Sequence, residues 1–190
     1  MQNENLRSDA YQNRERILDV ARDAFAATPD ASLNSIAKAA GVGPGTLYRH
    51  FPNREALILG VYRKEIQELV DLSPALLAKH PPVKAFRLWL DRLAHYGRIK
   101  HGLAHALHAA MKADGRILHE TYNPTVGAID FLLRACEASG EIRCGVNAED
   151  MLLLVGFLWR IEPSRAGEAR ARRLLNLVID GLQAHGRHPR

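Results

Sequence analysis

The tightest constraint on this chain is a stretch of 18 residues near its start. Leu33 to Ala40 has helical apolar spacing, Gly41-Val42-Gly43 makes a turn, and a second helical run goes from Pro44 to His50. Leu33, Ile36, Ala37 and Ala40 recur at i, i+3, i+4 and i+7, which is one face of a helix. Ser32 stands where an N-cap side chain is favoured. Gly41 falls at the C′ position, where a helix ends in the left-handed region. Pro44 sits at a first helical position, where its missing N–H costs little. Two short helices joined by so tight a turn form a helix-turn-helix.

That motif predicts a use. One helix braces across the phosphate backbone of duplex DNA while the next lies in the major groove. The second helix needs small or polar residues at its exposed end, and Pro44, Gly45, Thr46, Tyr48 and Arg49 meet that need, with Leu47 pointing into the core. Lys38, His50 and Arg54 are placed to reach flanking phosphates. Thr46, Tyr48 and His50 are expected on phosphates, and Gly45 and Arg49 nearest base edges. An arginine fork on guanine contributes about 1–3 kcal/mol of discrimination. The alternative for these side chains is a solvated surface on a small helical domain.

Helical periodicity continues through the chain, with no convincing strand alternation. A first helix is expected from about Asp9 to Ala27, with Ile17, Leu18, Ala21, Ala24 and Phe25 inward, broken by Thr28-Pro29-Asp30. Phe51-Pro52 ends the recognition helix, and Asn53 caps a long helix from Arg54 to about Val70. Ser73-Pro74 and His80-Pro81-Pro82 bound a short helix or loop. Separate amphipathic runs follow at Val83–Tyr96 and His101–Ala113, then Arg116–Ala138, broken or kinked at Asn123-Pro124. Asn147 caps a helix through Ile161, and a last helix spans about Ala166 to His185 with Leu174, Leu175, Val178, Ile179 and Leu182 as its stripe. The fold class is all-α: a three-helix DNA-binding domain over residues 1–55, a linking helix at 54–70 and a helical domain over 71–190.

The residues Ile36-Ala37-Lys38-Ala39-Ala40-Gly41-Val42, Gly45-Thr46-Leu47-Tyr48-Arg49-His50-Phe51 and Asn53-Arg54-Glu55-Ala56-Leu57 resemble, in order and at fixed spacing, the DNA-binding signature of TetR-type (tetracycline-repressor-like) regulators. The resemblance covers about residues 14–62. It implies a homodimer that binds a palindromic operator in double-stranded DNA, a C-terminal domain that takes a small-molecule effector, and a four-helix dimer interface built from the last two helices. It favours a repressor released by that effector. The alternative is constitutive DNA binding with a large domain that recruits a protein. Arg54 replaces the usual lysine, giving a fork where the family has a point charge, and Pro44 removes one backbone donor. From Asp114 to Ile161 the chain is similar to the ligand-binding half of one subgroup.

Composition adds limits. At 47% hydrophobic and 25% charged, the chain has the profile of a soluble globular protein. The first ten residues lack an apolar signal region, and Met151–Trp159 is the longest apolar run, so a cytoplasmic, nucleoid-associated protein without membrane contact is expected. Net charge is +5, yet residues 1–65 carry nine Lys and Arg against eight Asp and Glu, so bulk charge makes no case for DNA. No Walker, G-x-S-x-G, G-x-G-x-x-G or H-E-x-x-H motif is present, which argues against an enzyme; no cofactor or metal is expected.

Trp89, Tyr96, Tyr122, Phe131 and Phe157 are candidates to line an effector pocket, against the plainer reading of core aromatics. His105 and His108, with His101, fall at i, i+4 and i+7 and form a half-exposed polar face, join that pocket or, as the least favoured reading, hold a divalent metal. Cys136 and Cys144 are read as ordinary thiols in preference to a redox switch. Leu152, Leu153, Val155 and Leu158 together with Leu174, Val178 and Leu182 offer apolar surface for dimerisation.

Overall fold

The structure is a computed structural model describing residues 2–28, 30–113, 116–162 and 164–183; for 2–7, 98–113 and 116–118 it describes the backbone alone. The described residues form eight α-helices and no strand: α1 (Gln2–Ala27), α2 (Leu33–Ala39), α3 (Pro44–His50), α4 (Arg54–Leu77), α5 (Pro82–Ala113), α6 (Arg116–Ala138), α7 (Ala148–Leu154) and α8 (Arg165–Gln183). Contacts group them into two units, Met1–Lys64 with Gly102–Gly115 and Glu65–His101 with Arg116–Arg190.

In the first unit the apolar stripe of α1 (Ile17, Leu18, Ala21 and Phe25) is buried with Ile36 and Ala37 of α2, Leu47 of α3 and Leu57, Ile58 and Val61 of α4. Ala24 and Leu33, expected inward, are half-buried. Gly60 lets α4 approach closely: a Cβ there would meet the Phe51 ring at 2.8 Å and Leu18 at 2.9 Å. Lys64 on α4 bridges Glu15 at 2.9 Å and Asp19 at 2.8 Å on α1. Burial works to lower its pKa, but the bonds to Asp19 and Glu15 outweigh it and the pKa is raised.

The second unit buries Phe86, Trp89, Leu90 and Leu93 of α5, Ile129, Leu132, Leu133 and Cys136 of α6, and Leu175, Ile179 and Leu182 of α8. Buried Glu65 is ion-paired with Arg92 at 3.5 Å, and Arg92 also reaches Glu68 at 3.5 Å; an unpaired charge at that depth would be costly.

Two sequence expectations about helix ends fail. The helix expected to stop near Val70 runs to Leu77 through Pro74. Proline removes the N–H that would bond to the carbonyl four residues back, and here the Ser73 hydroxyl donates to that same carbonyl, Val70 O, at 2.6 Å. The two runs expected either side of Gly97 are one helix, α5. Gly97 is a packing site, where a Cβ would lie 2.9 Å from the Trp159 ring. At Asn123-Pro124, read as a break or a kink, α6 is unbroken and holds Pro124 inside it.

A further difference is local. The helix after Asn147 is α-helical only to Leu154 and continues as a 3₁₀ segment, Val155–Arg160. Gly156 is a poor helix former. Tighter winding places residues three apart on one face, and Val155 and Leu158 are both buried. The capping residues behave as read: Asn147 Oδ1 accepts from the Glu149 and Asp150 amides at 2.8 and 3.0 Å, and Asn53 Oδ1 accepts from Ala56 N at 2.8 Å.

Candidate nucleic-acid interface

The interface is built from α2, its turn and α3. Ser32 Oγ caps α2 by accepting from Ser35 N at 3.1 Å. Gly41, at φ +66°, ends it. Val42 N then donates to Ala37 O at 3.0 Å and Gly41 N to Lys38 O at 3.2 Å, the paired bonds that close a helix through a left-handed glycine. Gly43 caps α3 with its backbone alone, and Pro44 takes the first helical position.

At about 100° per residue, Pro44, Tyr48, Gly45 and Arg49 fall in one arc of about 140° on α3. All four are exposed, Tyr48 at 45%. Thr46 and His50 lie half-buried on the far side of the helix, and Leu47, about 60° from Pro44, is fully buried. Lys38 is exposed in the last turn of α2. Because Leu47 anchors α3 to the core, the arc is presented as a fixed surface.

Arg54 is placed differently from the expectation. Its Nη1 donates to the Ala31 carbonyl, and its guanidinium lies 4.9 Å over the Phe25 ring. The fork ties the start of α4 to the end of α1. Arg14 does similar work, lying 5.4 Å over the Phe51 ring.

Sequence reading missed a charge feature. From Ala31 to Arg54 there is no Asp or Glu, while Lys38, Arg49, Arg54 and His50 all fall within the stretch. The acids that balance the charge count lie outside it, and two of them, Glu15 and Asp19 on α1, are bound by Lys64. A charge count over a shorter window, in place of one over residues 1–65, would have shown it.

The residues expected to line a pocket do not share one environment. Trp89 is fully buried in the core, its indole N–H donating to Leu69 O at 2.8 Å. Tyr96 is buried edge-on against Trp159, ring centroids 6.0 Å apart. Tyr122 and Phe131 are exposed at 37% and 47%. Phe157 lines an open groove with Arg170 and Leu174. A separate cleft of about 220 Å³ lies between Asp91 and His95 of α5, Leu158, and Glu168 and Arg172 of α8. The side chains of His101, His105 and His108 lie outside the described residues. Among the described residues, no group of three or more His, Cys, Asp or Glu is arranged to hold a metal.

Cys136 is buried, which pushes its pKa up to about 12 with help from Glu141 and Glu137, whereas Cys144 is exposed. A thiol held protonated is a poor nucleophile. No described helix is long and apolar enough to cross a membrane.

Comparison with known proteins agrees with this architecture. Residues 17–61 match the model for bacterial regulatory proteins of the tetR family. Residues 81–184 match the C-terminal domain of SbtR-like transcriptional regulators. The chain is 41% identical to a TetR transcriptional regulator of Streptomyces coelicolor, whose crystal structure matches with a TM-score of 0.77 over 89% of this chain and 97% of that one. A TetR regulatory protein of Mycobacterium vanbaalenii is 29% identical, with a TM-score of 0.73 over 93% and 98% of the two chains. An HTH-type transcriptional regulator of Staphylococcus aureus is 30% identical over 107 residues, and the match spans only 58% of that relative's length and 55% of this chain. The chain belongs to the TetR family and is a DNA-binding transcriptional regulator, not an enzyme.

Proposed function

We propose that the protein is a repressor that binds a palindromic operator as a homodimer and leaves it when a small-molecule effector binds. Residues 1–55 would form the DNA-binding domain, the helix from Arg54 would join it to residues 71–190, and those would bind the effector and the second subunit. The site of action would be the nucleoid in the cytoplasm. The observation that carries the reading is the exposed arc Pro44-Tyr48-Gly45-Arg49 on a helix pinned by buried Leu47, in a stretch without acidic residues. Arg49 is assigned to a base edge, Lys38, Thr46, Tyr48 and His50 to phosphates.

Dimerisation is supported by Leu153, Leu154 and Leu177, exposed at 80%, 56% and 68% on α7 and α8. Isolated exposed leucines are common, but three large ones on adjacent elements favour an interface. Of the apolar surface expected from the sequence, Leu153 faces out, Leu152, Leu174 and Val178 are half-buried, and Val155, Leu158 and Leu182 are buried within the chain; Leu154 and Leu177 face out in addition.

The test is selection of a site from random duplex DNA by the purified protein. We expect a two-fold symmetric site with half-sites about 34 Å apart or a multiple of it. Arg49→Ala should weaken binding by about 5- to 150-fold for each half-site, and relax preference at one base pair per half-site. Binding indifferent to sequence would overturn the reading. Release by an effector, found by screening compounds against the selected complex, separates this reading from constitutive binding with a protein partner.

A further inference from the structure

Glycine inside a helix costs about 0.5–1 kcal/mol relative to alanine, so each helical glycine calls for a reason. For several the reason is visible. Gly60 and Gly97 are crowded by the protein's own atoms, at 2.8 and 2.9 Å from where a Cβ would sit, and at Gly167 a Cβ would collide with the Glu162 carbonyl. Gly41, just past α2, has a positive φ. Gly45 has neither reason. It is the second residue of α3, its φ is not positive, and a Cβ built on it meets nothing within 4 Å. Gly127 of α6 and Gly181 of α8 are open as well, but Gly45 lies exposed in the middle of the arc, between Tyr48 and Arg49. The chain itself gains nothing from a glycine there.

What sets it apart from Gly127 and Gly181 is its place in the exposed arc assigned to DNA. We infer that Gly45 sets the depth to which α3 enters the major groove of DNA: the missing Cβ lets the first turn of the helix seat against a base-pair edge, bringing Arg49 on the same face within reach of its base. The inference rests on the DNA-binding reading of this face and adds what holds the register. Neighbouring Pro44 has no N–H to donate, so that position contributes shape, not a backbone hydrogen bond.

The experiment compares wild type, Gly45→Ala and Gly127→Ala in thermal unfolding and in binding to the selected operator. Gly127 is the control, an exposed position on α6 outside the arc, with nothing within 4 Å of a Cβ. Both variants should unfold a few degrees higher than wild type, about 1–4 °C. Gly127→Ala should bind as wild type does. Gly45→Ala should bind about tenfold more weakly or worse, as expected for forcing a methyl into a packed contact. An equally tight Gly45→Ala would overturn the inference and leave the DNA-binding reading standing. A Gly45→Ala less stable than wild type would overturn it too, since the glycine would then serve the fold. If wild type selects no symmetric site, both fall together.

Discussion

Trp89→Ala is expected to lower the unfolding free energy by about 3–5 kcal/mol, the range for deleting a large buried aromatic. For a chain of this length that is a fall of roughly 10 °C or more in melting temperature. The ring is fully buried beside Phe86, with centroids 6.5 Å apart, and its N–H is bonded to Leu69 O. Trp89→Phe keeps much of the apolar contact and loses the hydrogen bond, so it should cost clearly less than the alanine. Thermal unfolding followed by circular dichroism measures both. A loss under about 1 kcal/mol for Trp89→Ala would mean that the ring lines an open cavity, not a packed core.

Replacing Leu153 and Leu177 together by aspartate should convert the protein to a monomer and reduce operator affinity by about a hundredfold or more. Both side chains are mostly exposed in the single chain, so the substitutions remove no internal packing. A dimer would have to bury four carboxylates in their place, and charges are not buried without partners. With the subunits apart, the second half-site no longer gains from the first, which is where the affinity goes. Light scattering gives the molar mass, and titration of the operator gives the affinity. A double variant that stays dimeric would place the interface elsewhere.

The helix-turn-helix was legible because its signals are local. Ser32, Gly41, Pro44 and Asn53 each act on backbone groups within a few residues of themselves, and the structure uses the first two and Asn53 as caps and Pro44 at the first helical position. What was misread depends on distant partners or on side-chain chemistry that spacing does not show. Pro74 reads as a break until the Ser73 hydroxyl is seen on Val70 O. The runs ending at Tyr96 and starting at His101 read as separate until Gly97, between them, is found packed against Trp159. Trp89 and Phe131 are both aromatics on amphipathic helices, and only packing decides that one is core and the other exposed. Arg54 looked like a phosphate ligand because its inward partners, Ala31 O and Phe25, lie more than 20 positions earlier.

The acid-free stretch from Ala31 to Arg54 is sparse in cations as well as free of acids. Lys38 and Arg49 are its exposed Lys and Arg side chains, and Arg54 is turned inward. With Arg49 on a base edge, a dimer that neutralises phosphates through Lys38 would displace about two counterions from DNA, so the logarithm of affinity would fall with the logarithm of salt at a slope of about −2. Raising salt fourfold would then cost only about 15-fold in affinity. Such a regulator would hold its operator through swings in intracellular ionic strength that strip more highly charged proteins from DNA. Its occupancy would answer to its effector more than to the osmotic state of the cell.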